Sequence, residues 1–183
     1  MHRQALTGAW EYRRSGKDEW SSANVPGSIH TDLMASGCIP DPFVADNEKR
    51  VHWVAESDWV YRHSFNCSAE LLAHQKILLV CDGLDTLATI VLNGHELGHT
   101  DNMFRKYEWE VNSFLDPKGA NDLTIIFSSP VKYAAEKQAL RPLPGVAQAI
   151  PGGSHLRKAP CRRGPAHSAR QAGPRPGSFG SWF

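Results

Sequence analysis

The sequence predicts an all-β fold, an antiparallel β-sandwich or barrel, and three observations carry that reading. Apolar residues recur mainly with a period of two, turn-forming pairs separate the runs at short intervals, and helical periodicity is confined to short stretches. The first candidate strands are residues 10–13 and 20–25. In DWVYRHSFN, Trp59, Tyr61, His63 and Phe65 fall on one face while Val60, Arg62 and Ser64 fall on the other. Successive side chains of a pleated strand point to opposite faces, so this is the pattern of a half-buried strand. It recurs in residues 76–82, 86–92, 106–111 and 121–129. Asn93-Gly94 marks a type I′ hairpin turn, whose two central residues both need positive φ. Ser28 is placed to cap a short helix through Met34 that ends near Gly37, and residues 131–140 form a second helical stretch stopped by Pro142. The stretch RVHWVAESD has neither period and reads as a loop. Trp53 is therefore the tryptophan best placed as an exposed aromatic, whereas Trp10, Trp59 and Trp109 sit in strand patterns and read as core.

The chain has 183 residues, 41% hydrophobic and 21% charged, enough for one domain with a sizeable core rather than two full ones. A net charge of +1 removes any global electrostatic case for a nucleic-acid or anionic-membrane partner. The N-terminus MHRQALTGAWEYRR has no apolar signal segment. No run approaches the ~18 apolar residues of a membrane span. The four cysteines, Cys38, Cys67, Cys81 and Cys161, form no C-x-x-C pair and read as reduced thiols of a cytoplasmic protein. Beyond Cys161 the composition changes: residues 162–183 are rich in Arg, Gly, Pro and Ser, lack acidic side chains and show no hydrophobic period. That composition predicts a disordered tail, whose basic character offers contact with acidic partners.

The stretch NGHELGH contains H-E-x-x-H, the zinc motif of metallopeptidases, which needs a helix to bring its two histidines to one face. Here an alternating run and an Asn-Gly turn precede it, so a strand is the better assignment. On a strand the two Cα atoms would stand roughly 13 Å apart, too far for one metal. No metal or cofactor site is assigned. Asp82 and Asp85 bracket Gly83 at a strand-to-strand turn and read as acceptors for turn backbone. The spacing of acidic residues selects no pair for glycoside hydrolysis, and no phosphate loop, nucleophile elbow or Cys/His arrangement appears, so no residue is assigned as catalytic. Asp101, Asn102 and Arg105 lie between the hairpin and the strand of Tyr107 and Trp109, in a loop at one end of the sandwich. Such loops carry binding groups; Asn and Arg offer directed donors to hydroxyls, and Asp accepts from two at once.

The collinear segments VPGSIHTDLMASGCIPDPF, DNEKRVHWVAESDWVYRHSF, CDGLDTLATIVLNGHELGHTDNMFRKYEW and HLRKAPC resemble the N-terminal domain of β-mannosidases of glycoside hydrolase family 2, from about Leu6 to Cys161. The resemblance implies a jelly-roll-like sandwich of the galactose-binding type, set before an immunoglobulin-like domain and a (β/α)₈ barrel. The barrel holds both catalytic glutamates of a retaining hydrolysis that removes terminal non-reducing β-D-mannose. It also implies that DNMFRKYEW faces the barrel, so that Asp101, Asn102 and Arg105 line or support the sugar pocket. Two departures stand out. The family continues its R-K-A-P-C with x-F-G-W-D-W-G-P and closing strands, where this sequence has RRGPAHSARQAGPRP, as a truncated, frameshifted or alternatively spliced product would. The barrel has no counterpart, and Asn47-Glu48, which superficially matches the Asn-Glu pair before the family's acid/base, belongs to a loop of the sandwich. The expected organisation is a sandwich over residues 1–130, a helix and connector of the same domain over 131–161 with closing strands missing, and the tail over 162–183. The expected function is that of a β-mannosidase fragment without catalysis. A stand-alone carbohydrate-binding module and an interaction protein acting through its basic tail are the alternatives.

Overall fold

The computed structural model describes residues 2–141. Its strands are β1 (Gly8–Arg14), β2 (Ser21–Val25), β3 (Trp59–Phe65), β4 (Leu78–Cys81), β5 (Ala88–Leu92), β6 (His95–Thr100), β7 (Tyr107–Glu110) and β8 (Asn121–Phe127). Six of them form an antiparallel sheet in the order β2-β1-β3-β8-β5-β6, and β4 pairs with β7 in a second sheet. Each run read as alternating contains one of these strands. The Asn93-Gly94 turn joins β5 to β6, and both residues have the positive φ, 51° and 80°, that a type I′ turn requires.

Alternation places the core. Trp10 and Tyr12 of β1, Tyr61 of β3, Ile90 and Leu92 of β5, and Leu123 and Ile125 of β8 are buried together with Leu79 and Cys81 of β4 in a single cluster. Each such large apolar side chain contributes about 1.5–3 kcal/mol when taken from water. The indole N–H groups are satisfied as well: Trp10 donates to the Leu6 carbonyl and Trp59 to the Val54 carbonyl, each at 2.9 Å.

Among the described residues four α-helices accompany the sheets: α1 (Ile29–Ala35), α2 (Asn47–Ala55), the single turn α3 (Ala69–Leu72) and α4 (Pro130–Leu140). The α1 helix starts with a capping box between Ser28 and Thr31 and ends before Gly37, at φ 72°. The α4 helix opens with Pro130 in its first turn and the Ser129 side chain as its cap. The α2 helix corrects the loop expected around Trp53, and with it the placing of Asn47-Glu48 in a loop: that pair opens the helix. Val51 and Val54, three residues apart, are buried against the core. Its C-terminal carbonyls find partners from elsewhere in the chain: Ser57 donates to Trp53, Trp59 to Val54, and Ser129 to Ala55. These contacts satisfy acceptors that an isolated helix end leaves open. The connector beyond residue 141, with Cys161, and the segment 162–183 lie outside the described residues. Among the described residues, no helix is long and apolar enough to cross a membrane.

Candidate functional site

The H-E-x-x-H segment is strand, as the hairpin pattern predicts. His95 stands opposite Leu92 and packs on the Phe114 ring at 5.2 Å, while His99 stands opposite Thr89. The two imidazoles have separate partners: Nδ1 of His99 is 3.0 Å from the Thr89 hydroxyl, and its Nε2 is 3.1 Å from Glu96. The helical face that the zinc motif requires is not formed.

Trp53 is not a free loop aromatic. Its ring leans on Trp59 at 5.9 Å and carries the Arg14 guanidinium at 5.4 Å, so it packs α2 onto the sheet. Trp10 and Trp59 are buried as expected, whereas Trp109 is only half-buried. Asp85 Oδ1 accepts from the Thr86 hydroxyl. The buried Oδ2 of Asp82 has no hydrogen-bond partner among the described residues, in place of the turn-backbone bond expected of that residue.

Asp101, Asn102 and Arg105 are brought together on the exposed loop from β6 to β7. The stem is pinned at Thr100, which is buried, donates to the Thr86 carbonyl at 2.9 Å and accepts from the Ala88 N–H at 3.1 Å. On the other side Tyr107 starts β7. Its hydroxyl accepts from the backbone N–H of Asp101 and of Asn102, both at 3.1 Å, and donates to Asp101 Oδ1 at 3.0 Å. Asn102 Oδ1 accepts from the Phe104 N–H at 2.9 Å, and the Arg105 N–H reaches the Asn102 carbonyl at 3.3 Å, closing a tight turn. The Arg105 guanidinium lies 5.8 Å from the Tyr107 ring centre, and the rings of Tyr107 and Trp109 stack at 5.9 Å, 9° from parallel. Gly98 makes room for this column, because a Cβ there would stand 2.8 Å from Trp109 Nε1.

What the loop leaves outward is chemically specific. Asp101 Oδ2 and Asn102 Nδ2 have no hydrogen-bond partner among the described residues, and Arg105 has no ion pair there. One carboxylate acceptor, an amide NH₂ and a guanidinium can grip neighbouring hydroxyls of a polyol. Alternation marked Tyr107 as a strand residue but carried no sign that its hydroxyl organises the loop. By contrast Asp32, in the first turn of α1, is buried, and desolvation raises its pKa. It accepts from the Asn24 N–H at 3.2 Å and from Tyr61, buried beside it, at 2.9 Å. Burial also pushes the Cys81 thiol up to about 12.

The fold is thus an antiparallel sandwich with an exposed polar loop at its end. The family model described as glycosyl hydrolase 2 galactose-binding domain-like matches residues 10–182, and the chain belongs to that family. The match extends past Cys161 into the segment whose composition departs. A probable β-mannosidase of Caenorhabditis elegans is 39% identical over 134 residues, which are 73% of this chain and 15% of that protein. β-Mannosidase B of Thermothelomyces thermophilus is 41% identical over 66% of this chain and 14% of its own length. The crystal structure of the β-D-mannosidase from Dictyoglomus thermophilum superposes with a TM-score of 0.75 at 41% identity, covering 78% of this chain and 18% of that one. A β-D-glucuronidase of the same organism, 18% identical with a TM-score of 0.53, shares the fold. The chain thus spans about 15% of the length of the curated relatives it matches, and the rest of their length has no counterpart in these 183 residues.

Proposed function

We propose that this chain is the sugar-contacting N-terminal module of a β-mannosidase, one that hydrolyses terminal non-reducing β-D-mannose. Its loop from Asp101 to Arg105 supplies hydroxyl contacts to a pocket whose bond-breaking carboxylates lie outside these 183 residues. The observation that carries this reading is the loop itself, held from within yet turning an acceptor, an amide and a guanidinium outward. The identity with β-mannosidases supports β-mannoside as the sugar. The low net charge supports carbohydrate rather than nucleic acid or membrane as partner, and no cofactor is called for. Free Cys38, Cys67 and Cys81 support a reducing compartment, the cytoplasm.

The test has two arms. Purified chain incubated with an aryl β-mannoside is expected to release no aglycone above buffer. When this chain's sandwich replaces the matching domain of the Dictyoglomus thermophilum enzyme, the chimera is expected to hydrolyse the same substrate and to weaken on Asn102→Ala. Turnover by the chain alone that survives repurification, or a chimera indifferent to position 102, would overturn the reading.

A further inference from the structure

We infer that Tyr107 is the positioning residue of this site: its hydroxyl clamps the Asp101–Asn102 backbone and fixes which polar groups the loop presents to a sugar. The inference rests on the proposed role of the loop and deepens it. Three bonds converge on one phenolic oxygen, two received from successive backbone N–H groups and one donated to the Asp101 carboxylate. A phenol has one proton to give and two lone pairs with which to accept, so this hydroxyl is fully engaged by the loop and has nothing left for a ligand. Tyr107 therefore acts through its neighbours.

The ring is as constrained as the hydroxyl. Trp109 stacks against it, the Tyr107 backbone pairs with Cys81 of β4, and Gly98 lets the indole lie close to β6. The clamp is thus anchored to two strands of the scaffold, while the loop it holds is exposed. Rigid support of this kind lowers the ordering cost that a mobile polar loop incurs on binding. The clamp also dictates polarity. With Oδ1 of Asp101 taken by the hydroxyl and Oδ1 of Asn102 taken by the Phe104 N–H, these two side chains leave one carboxylate acceptor beside one amide donor, next to the Arg105 guanidinium. Neighbouring hydroxyls, one donating and one accepting, match that set.

Tyr107→Phe removes the hydroxyl and keeps the stacked ring. In the labelled 183-residue chain, amide exchange at Asp101 and Asn102 is expected to accelerate about tenfold, with Leu123 and Ile125 amides and the melting temperature unchanged. Unchanged exchange at both loop amides would overturn the clamp. Acceleration spread equally over β5 and β8 with a lowered melting temperature would also overturn it, by showing a packing role. Neither readout contains sugar, so a failed sugar assignment leaves this result standing. A failed clamp beside an intact Asn102 effect in the chimera would mean that something else orders the loop.

Discussion

Two asparagines in neighbouring turns have the same side chain and opposite fates. Asn93, in the β5–β6 turn, donates to the Phe114 carbonyl and to Asn121 Oδ1, both at 2.7 Å, and accepts from the Asp122 N–H at 2.8 Å. Asn102, in the β6–β7 loop, uses only its oxygen internally and turns its NH₂ to solvent. The first turn ties β5, β8 and the Phe114 segment into one unit; the second is tied down just enough to hold a shape. A polar side chain with every group satisfied by the protein serves the fold, and one left half-satisfied on a rigid loop is available to a ligand.

The largest effect expected from this contrast is on stability. Asn93→Ala removes all three bonds, leaves the buried Asn121 short of a partner, and places alanine at positive φ. Unfolding in urea is expected to show a loss of about 2–4 kcal/mol, in the range for a broken polar network. A loss no greater than that of Asn102→Ala, expected below about 1 kcal/mol, would erase the distinction between the two turns.

The next effect is on activity and separates turn from contact. In the chimeric mannosidase, Asn102→Ala is expected to lower kcat/KM by about 10- to 100-fold, equivalent to about 1.4–2.7 kcal/mol. Asn102→Asp sharpens the comparison, since aspartate can still accept from the Phe104 N–H and keep the turn, yet presents an acceptor where the amide donated. It is expected to be as damaging as alanine. Recovery of activity in the aspartate variant would assign Asn102 to the turn alone.

How much of this was legible in the sequence depends on the range of the interaction. Strand alternation is local, so β1 to β5, β7 and β8 follow from runs such as TLATIVL and NDLTIIF, and the Asn-Gly pair fixes the hairpin that carries β6. The loop position of Asp101, Asn102 and Arg105 follows from the same pattern. The α2 helix does not, because its end is completed by Ser129, 74 residues from the Ala55 carbonyl it satisfies, and by Trp59 and Ser57 across a turn. No local period records those bonds, so the sequence around Trp53 carries the pattern of a loop. The role of Tyr107 was hidden for a related cause: alternation records which face a ring takes, while its hydroxyl acts at the ring's far end.

The same contrast recurs in two aspartates that each accept from a tyrosine. Asp101 gives one oxygen to Tyr107 and keeps the other for solvent; Asp32 gives one to Tyr61 and the other to the Asn24 N–H, inside the core. For Asp32, burial raises the folded-state pKa more strongly than these two bonds lower it. A raised carboxyl pKa means that its contribution to stability is fully present below the unfolded value, about 4, and is lost as pH rises through the folded value. Asp32→Asn keeps an acceptor for Asn24 and cannot ionise. The stability advantage of the wild type over this variant is therefore expected to grow as pH falls from 7 toward 4, the smallest of the three effects, read from urea unfolding at both pH values. An advantage that shrinks on acidification would show that the charged carboxylate is held more strongly by Tyr61 and Asn24 than burial opposes it. Asp32 would then be a site of stabilised charge within the core, and complete internal satisfaction would no longer separate it from the open carboxylate of Asp101.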